Sequence, residues 1–322
     1  MYIRCLLWVC IFYFTTFVPI SFSKIISLTG KKIMLLNTIE TKNCFVSFVQ
    51  IGTQVFLVKQ KKVDNKIIAV VRDALAACIA KNLHIAHQVD IIHFKKNFPG
   101  KIRTLWPATL HTIALGETVR KQKNSIYSTL RLRQLWALAK NFEETGLTRA
   151  IISQMTWHRQ LPIIIALDLI IGNSDRHCGN LCYDAETDKF CAIDMDDTFN
   201  KDLCYVACKK LEMMINDPKN SFTIQEINAF IQLRKTLKYI LKNFKAPHVV
   251  KKLYSFARRA GFVVGSPLYT HSIERKLLLY ESMIIQSWMN AHKLVVLLNK
   301  IIEKNIKDTW YVRGYMANNE ME

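Results

Sequence analysis

Glycine occurs at only ten of 322 positions, and the spacings that wrap a backbone around a phosphate cannot be assembled from them. Neither G-x-G-x-x-G nor G-x-x-x-x-G-K-[ST] can be written from Gly30, Gly52, Gly100, Gly116, Gly146, Gly172, Gly179, Gly261, Gly265 and Gly314. Such loops work because a residue without Cβ lets backbone N–H groups come close to phosphate oxygens. A dinucleotide-binding Rossmann fingerprint, a Walker A loop and the glycine loop of ordinary protein kinases are therefore excluded. Half of the residues are apolar, enough to bury a substantial core, so what is excluded is a type of loop and not a folded chain.

Charge points to anions without choosing among them. Lys and Arg number 45 against 25 Asp and Glu, a formal net charge of +20. Nucleic acid, acidic membrane lipid, nucleotide or an acidic protein would each be drawn to such a surface. The densest basic runs are short, Lys59 to Lys62, Lys95 to Lys101 and Arg120 to Lys123, and a Lys-rich compositional habit explains them equally well. No recognised nucleic-acid module and no strand of interleaved aromatic and basic residues is present, which argues against nucleic acid as the partner. Of nine cysteines, Cys5 and Cys10 lie in an apolar leader, and the remaining seven contain no C-x-x-C pair. Cys178/Cys182, with His177 alongside, and Cys204/Cys208 are spaced by four, which suits reduced thiols better than a zinc site.

The leader itself has three readings. Leu6 to Ile20 is an almost unbroken apolar run behind Arg4, and Ser21-Phe22-Ser23 offers small residues for signal cleavage. The run also approaches a membrane span, and Lys24, Lys31 and Lys32 outweigh Arg4, which would keep the following domain on the cytoplasmic side of a signal-anchor. The third reading starts the protein at Met34. The first two make the chain secreted or membrane-associated.

Beyond the leader the texture changes once. Met34 to Leu36, Phe45 to Val49 and Val55 to Val58 read as short strands separated by Thr41-Lys42-Asn43 and Gly52-Thr53 turns. A helix is expected over Val71 to Asn82 and a strand over Val89 to Phe94. Helical spacing takes over after Asn124, at Ile126, Leu130, Leu135, Leu138 and Phe142, and continues through a buried helix at Leu161 to Ile171. Amphipathic helices follow from Thr223, the longest over Arg275 to Glu303. The class is α+β, with a leader over 1–26 and one domain over 27–322 that divides into a small β-rich lobe (about 32–118) and a larger helical lobe (119–322).

Chemistry concentrates in Ile165 to Phe199, IALDLIIGNSDRHCGNLCYDAETDKFCAIDMDDTF. A buried helix ends at Gly172, a polar loop runs from Asn173 to Asn180, and a strand-turn-strand pair leads through Ile193 to Asp194. Four residues separate Asp175 from Asn180. Phosphoryl transfer to an alcohol needs a carboxylate to orient the hydroxyl, an amide oxygen on Mg²⁺ and a further carboxylate on the metal, and Asp-x4-Asn followed by an apolar strand and Asp supplies them in that order. Singly, each of these residues is an ordinary turn former.

GNSDRHCGN followed by AIDMDDTF resembles the catalytic and metal-binding loops of the phosphoinositide 3-/4-kinase-like superfamily of atypical kinases, with related loops in HipA-type and actin-fragmin kinases. The resemblance spans about thirty-five residues. It implies a bilobal kinase-like fold using ATP and Mg²⁺, with Asp175 as the catalytic base or hydroxyl-orienting residue, Asn180 and Asp194 as metal ligands, and Arg176 and His177 bracing the loop or approaching the phosphates. Tested on the small lobe, the same template puts the phosphate-binding lysine at Lys59, with Lys61 and Lys62 as competitors. Between Glu40 and Glu117 there is no glutamate to hold that lysine, and Asp73, one methylene shorter, is the acid in place. Asp73 is equally a first-turn acid favoured by the helix dipole. The phosphate-covering turn would be Thr41-Lys42-Asn43, with side chains donating in place of glycine backbone, and Pro107 to Gly116 resembles the strand and hinge that hold adenine. The implied acceptor is a phosphoinositide head group or a protein Ser/Thr hydroxyl, an acidic membrane surface is a possible partner, and a pseudokinase that binds nucleotide without transfer is the alternative of another class.

Overall fold

The structure, a computed structural model, describes residues 26–28, 31–63, 66–93, 106–114, 117–118, 147–176, 179–217 and 220–306. The leader, the runs Lys95 to Lys101 and Arg120 to Lys123, the expected helix Ile126 to Phe142, and His177 lie outside the described residues. The architecture is α+β, strands first and helices after, as expected from the change in periodicity. Two compact units divide the chain, and each is discontinuous. One comprises Met1–Ser128, Cys178–Asp197 and Lys251–Leu278, the other Thr129–His177, Thr198–Val250 and Leu279–Glu322.

The first unit is built on an antiparallel sheet ordered β1-β2-β3-β4-β6-β5, from β1 (Ile26–Leu28), β2 (Lys31–Glu40), β3 (Cys44–Ile51), β4 (Gln54–Lys61), β5 (Val89–His93) and β6 (Pro107–Thr112). The meander read from the sequence is β2-β3-β4, extended by a slip in register between Leu35 and Asn37 that lets β2 run for ten residues. Ile33, Phe45, Val49, Val58, Ile92 and Ala108 form the core on one face, placed there by the two-residue repeat of the strands. Helix α1 (Ala69–Lys81) packs on β5 and β6 and is buried nearly all round, which its small residues Ala69, Ala74, Ala76, Ala77 and Ala80 permit. A second sheet, β7 (Glu117–Thr118), β8 (Leu181–Asp184) and β9 (Lys189–Ala192), is tied to the residues ahead of β5 by a parallel bridge from Ala86 to Ala192.

The second unit is helical, with α2 (Arg149–Met155), α3 (Leu161–Ile171), α4 (Leu203–Asn216) and α5 (Ile224–Asn243). Two further helices, α6 (Ala246–Arg259) and α7 (His271–Ile306), each carry residues of both units. Helix α3 is the centre of this unit and contacts α2, α4 and α5. Its run LPIIIALDLII is buried almost throughout, and Gly172 closes it in the left-handed conformation (φ 60°). Helix α5 opens with a full capping box, Thr223 with Glu226, and the same Glu226 carboxylate accepts two 2.9 Å hydrogen bonds from Arg149 at the start of α2. Among the described residues no helix is long and apolar enough to cross a membrane.

Candidate active site

Strand β4 sorts its side chains by parity. Val58 and Gln60 face the core, so Lys59 and Lys61 share the opposite face, with side chains only 12% and 11% exposed. Lys59 forms an ion pair with Asp194 and a second, at 2.7 Å, with Asp196, and Lys61 also pairs with Asp196. Burial alone would lower the Lys59 pKa, but Asp194 and Asp196 outweigh it and hold the ammonium well above its ordinary range. Burial likewise works against the Asp196 carboxylate, and Lys59 and Lys61 together bring it well below the usual carboxylate range. Both acids come from the segment just after β9, 135 residues along the chain from the lysines.

Asp194 reaches this position through local geometry. The β8–β9 hairpin ends at Ala192, whose N–H donates to Ile85 O at 2.6 Å, and Ile193 N–H donates to Asn180 O at 3.1 Å. Asn180 and Asp194 thus leave neighbouring ends of the same hairpin. Asp194 then adopts φ 54°, a left-handed backbone that aspartate tolerates better than most residues, with its side chain 41% exposed. Asn180 is buried. An amide oxygen and a carboxylate are hard donors of the kind that hold Mg²⁺, a metal that takes one or two protein oxygens and completes its shell with water and phosphate. Among the described residues no group of three or more His, Cys, Asp or Glu side chains is arranged to hold a metal ion, so any Mg²⁺ at Asn180 and Asp194 would depend on such outside oxygens.

Helix α1 brings Arg72 to 3.7 Å from Asp197 and buries Asp73 beneath the sheet. Asp73 makes no ion pair with Lys59. It stands 3.3 Å from His111 Nε2, on β6, and acts on Lys59 only at longer range. The place expected for it as the lysine's holder is filled by Asp194 and Asp196, because those acids reach the β4 face directly. His111 Nε2 lies 2.7 Å from Thr109 Oγ1, and His111 Nδ1 lies 2.9 Å from His87 Nε2. Burial lowers both imidazoles, His87 to about 4 with help from His111, and His111 to about 3 with help from Lys59. Burial raises Asp73 to about 6, partly opposed by Lys59.

The second unit holds the other half of the motif. Asp168, on the last turn of α3, accepts 3.0 Å hydrogen bonds from Arg176 Nε and Nη2 and a 2.9 Å bond from Asn173 Nδ2. Asn173 Oδ1 in turn accepts from the Asp175 backbone N–H at 3.1 Å. Asp168, Asn173 and Arg176 are buried, and Asp175 between them is exposed. Gly172 is required at the helix end, since a Cβ there would meet Lys201 O at 2.1 Å in addition to its left-handed strain.

The expected phosphate-covering turn is closed on itself. Thr41 Oγ1 donates to Cys44 O at 2.9 Å and accepts from Cys44 N–H, Asn43 Oδ1 accepts from Lys66, and Lys62 is drawn to Glu40 and Thr41 O. The hydroxyl assigned to phosphate contact is therefore engaged within its own turn. Pro107 to Thr112 of the adenine-holding stretch is strand β6, while Leu115 and Gly116 fall outside the described residues. The described cysteines are free thiols, and burial raises Cys208 to about 12.

Asp168 and His111 belong to these networks without having been singled out by spacing, Asp196 has no match to the motif, and Lys61 enters the sequence reading only as a competitor of Lys59. Asp168 had a signal, the lone acid in an otherwise apolar helix, where an unpaired charge would be costly. Asp196 and Lys61 had a weaker one, two-residue parity with Asp194 and Lys59. His111 had none, since its neighbours depend on the β5–β6 register.

No protein-family model matches the chain, and no curated protein matches it. Solved structures that resemble it include the Helicobacter pylori proinflammatory kinase CtkA, at 14% identity and TM-score 0.46 over 85% of this chain and 99% of that one. A Plasmodium vivax ethanolamine kinase resembles it at 11% identity and TM-score 0.30 over 83% of this chain and 84% of that one. A spectinomycin phosphotransferase solved with ADP and spectinomycin does so at 12% identity and TM-score 0.27 over 84% of this chain and 93% of that one.

Proposed function

We propose that this chain is an ATP-dependent phosphotransferase that moves the γ-phosphoryl group to an alcohol hydroxyl. The observation that carries this is the ion pair of Lys59 with Asp194, joined across 135 residues beside the Asn180 end of the hairpin. Phosphoryl transfer has little covalent chemistry for a protein to perform, so positioning and charge stabilisation are the tasks to be assigned. Lys59, held as a full ammonium, supplies positive charge to phosphate oxygens. Asn180 and Asp194 would hold Mg²⁺, which would supply positive charge to offset that of the phosphate groups. Asp175, exposed on a loop whose backbone is fixed by Asn173, accepts the hydrogen bond of the acceptor hydroxyl and then its proton. Arg176 is assigned to the loop and not to phosphate, because Asp168 engages its guanidinium in the buried interior.

A phosphoinositide head group is the acceptor class favoured by the loop's resemblance and the net charge of +20, with a protein Ser/Thr hydroxyl second. The test is incubation of the purified chain with labelled ATP, Mg²⁺ and parallel panels of phosphoinositides, proteins and small alcohols. Label should enter one panel in the wild type and be lost in Asp175→Ala and Asp194→Ala proteins that remain folded. Undiminished transfer by a folded Asp194→Ala protein overturns the site assignment, and nucleotide binding with no label in any panel indicates a pseudokinase.

A further inference from the structure

Two cysteines face each other across the β8–β9 hairpin. Its register pairs Leu181 with Ala192, Cys182 with Cys191, Tyr183 with Phe190 and Asp184 with Lys189. That register is fixed on both sides of the cysteines. Towards the turn, Tyr183 Oη donates to Asp188 at 2.8 Å, Thr187 Oγ1 donates to Asp184 at 2.6 Å, and the Tyr183 and Phe190 rings meet with centroids 4.8 Å apart. Towards the open end, Ile193 N–H donates to Asn180 O at 3.1 Å. This bond makes Asn180 and Ile193 a hydrogen-bonded pair, and because such pairs alternate along an antiparallel ladder, Cys182 and Cys191 form the next one. Residues paired in this way have Cα atoms about 5.5 Å apart and side chains on one face of the sheet, which matches the commonest span of a disulfide.

The two thiols differ in access. Cys191 is partly exposed on the outer strand β9, whereas Cys182, on the central strand β8, is 5% exposed. We propose that Cys182 and Cys191 are a dithiol site that closes to a cross-strand disulfide on meeting a low-molecular-weight disulfide. The Cys191 sulfur attacks one sulfur of the reagent, whose S–S bond breaks and releases one thiol. The Cys182 sulfur then attacks the Cys191 sulfur of the mixed disulfide and displaces the second thiol. The cysteines lose two electrons, the reagent gains them, and both cysteine protons end on the released thiols. Both cysteines are reduced in this structure, and closure asks for side-chain rotation with no change of register. The bond spans the strands whose open ends carry Asn180 and Asp194, so closure holds those ends in their present relation. Its bearing on Asn180 and Asp194 as metal ligands rests on the phosphotransferase reading, and the bond itself does not.

The experiment incubates the folded full chain with oxidised glutathione, alkylates the remaining thiols and digests with trypsin. Cleavage after Lys189 separates the two cysteines, and Cys191 is the single cysteine of the peptide Phe190 to Lys201. Joined peptides therefore report the bond, and their fragmentation in the mass spectrometer tells Cys182 from Cys178 as the partner. Wild type should give the Cys182–Cys191 link, reopened by dithiothreitol, lost in Cys191→Ser and kept in Cys178→Ala. Backbone amides from Leu181 to Ala192 should exchange with deuterium roughly tenfold more slowly in the oxidised wild type than in the reduced one, with no such difference in Cys191→Ser. Glutathione left on Cys191, a link to Cys178 or unmodified thiols overturns the proposal. A Cys182–Cys191 link with unchanged amide exchange overturns the hold on the hairpin ends. Each of these outcomes leaves the phosphotransferase reading intact, because that reading is decided by label transfer.

Discussion

Arg176 grips Asp168 with both side chains almost dry, at 3% and 5% exposure, whereas Lys59 grips an Asp194 side chain that is 41% exposed. The buried pair is bidentate, and its carboxylate takes a third hydrogen bond from Asn173, so every partner depends on every other. The β4 cluster is different in kind. Two lysines share two acids, and Lys59 has Asp196 at 2.7 Å as a second partner beside Asp194. A closed, dry pair acts as a structural brace, since breaking it strands a charge away from water. An open cluster with a spare partner can exchange members at low cost, which suits the phosphate and metal roles proposed for it. Of the two acids proposed for chemistry, Asp175 is exposed and Asp194 partly so, while their fixed neighbours, Asn173 and Arg176 in one unit and Lys59 and Asn180 in the other, are more buried.

That contrast breaks most readily at Arg176. Arg176→Ala leaves Asp168 buried and short of its main partner, and the expected loss is about 3–5 kcal/mol of unfolding free energy. Denaturant titration reads it directly, and an unchanged midpoint would show that the pair braces nothing. Gly172→Ala should cost about 1–2 kcal/mol for the left-handed backbone alone, and more because the new methyl group meets Lys201 O. Thermal unfolding of this variant tests whether the loop depends on the helix end as well as on the ion pair. Asp194→Asn should change stability by no more than about 1 kcal/mol, because the carboxylate is partly exposed and Asp196 keeps Lys59 paired. A loss as large as that of Arg176→Ala would make the β4 cluster a second brace and erase the distinction.

Much of the frame was legible before the structure, for reasons that are local. The apolar run of α3 stops at a glycine, which takes φ 60° without strain, so Leu161 to Ile171 could be read to its ends. The β2-β3-β4 meander follows from alternating residues and two turns, and α1 begins two residues earlier than its apolar pattern suggests, on the buried Ala69 and Val70. What escaped is non-local. The partner of Lys59 depends on which segment the β8–β9 hairpin carries to the β4 face, and no spacing within either segment encodes that meeting. Asp73 was placed on the correct element, but its distance from Lys59 depends on how α1 packs on β5 and β6. Asp168 was hidden by its setting, an acid inside a helix that reads as pure core until its arginine is found eight residues on.

The discontinuity of the first unit bears on how the protein is made. Synthesis places Lys59 and Lys61 on a growing sheet when the acids that neutralise them are still 135 residues from being added. A nascent chain short of Asp194 therefore carries two cations on a face that the finished protein nearly closes to water. The last pieces of this unit, Lys251–Leu278, arrive later still, after most of the second unit's helices have been translated. Helical folding can thus begin on the ribosome while the sheet waits, and no truncated product that ends before Asp194 has its electrostatic closure.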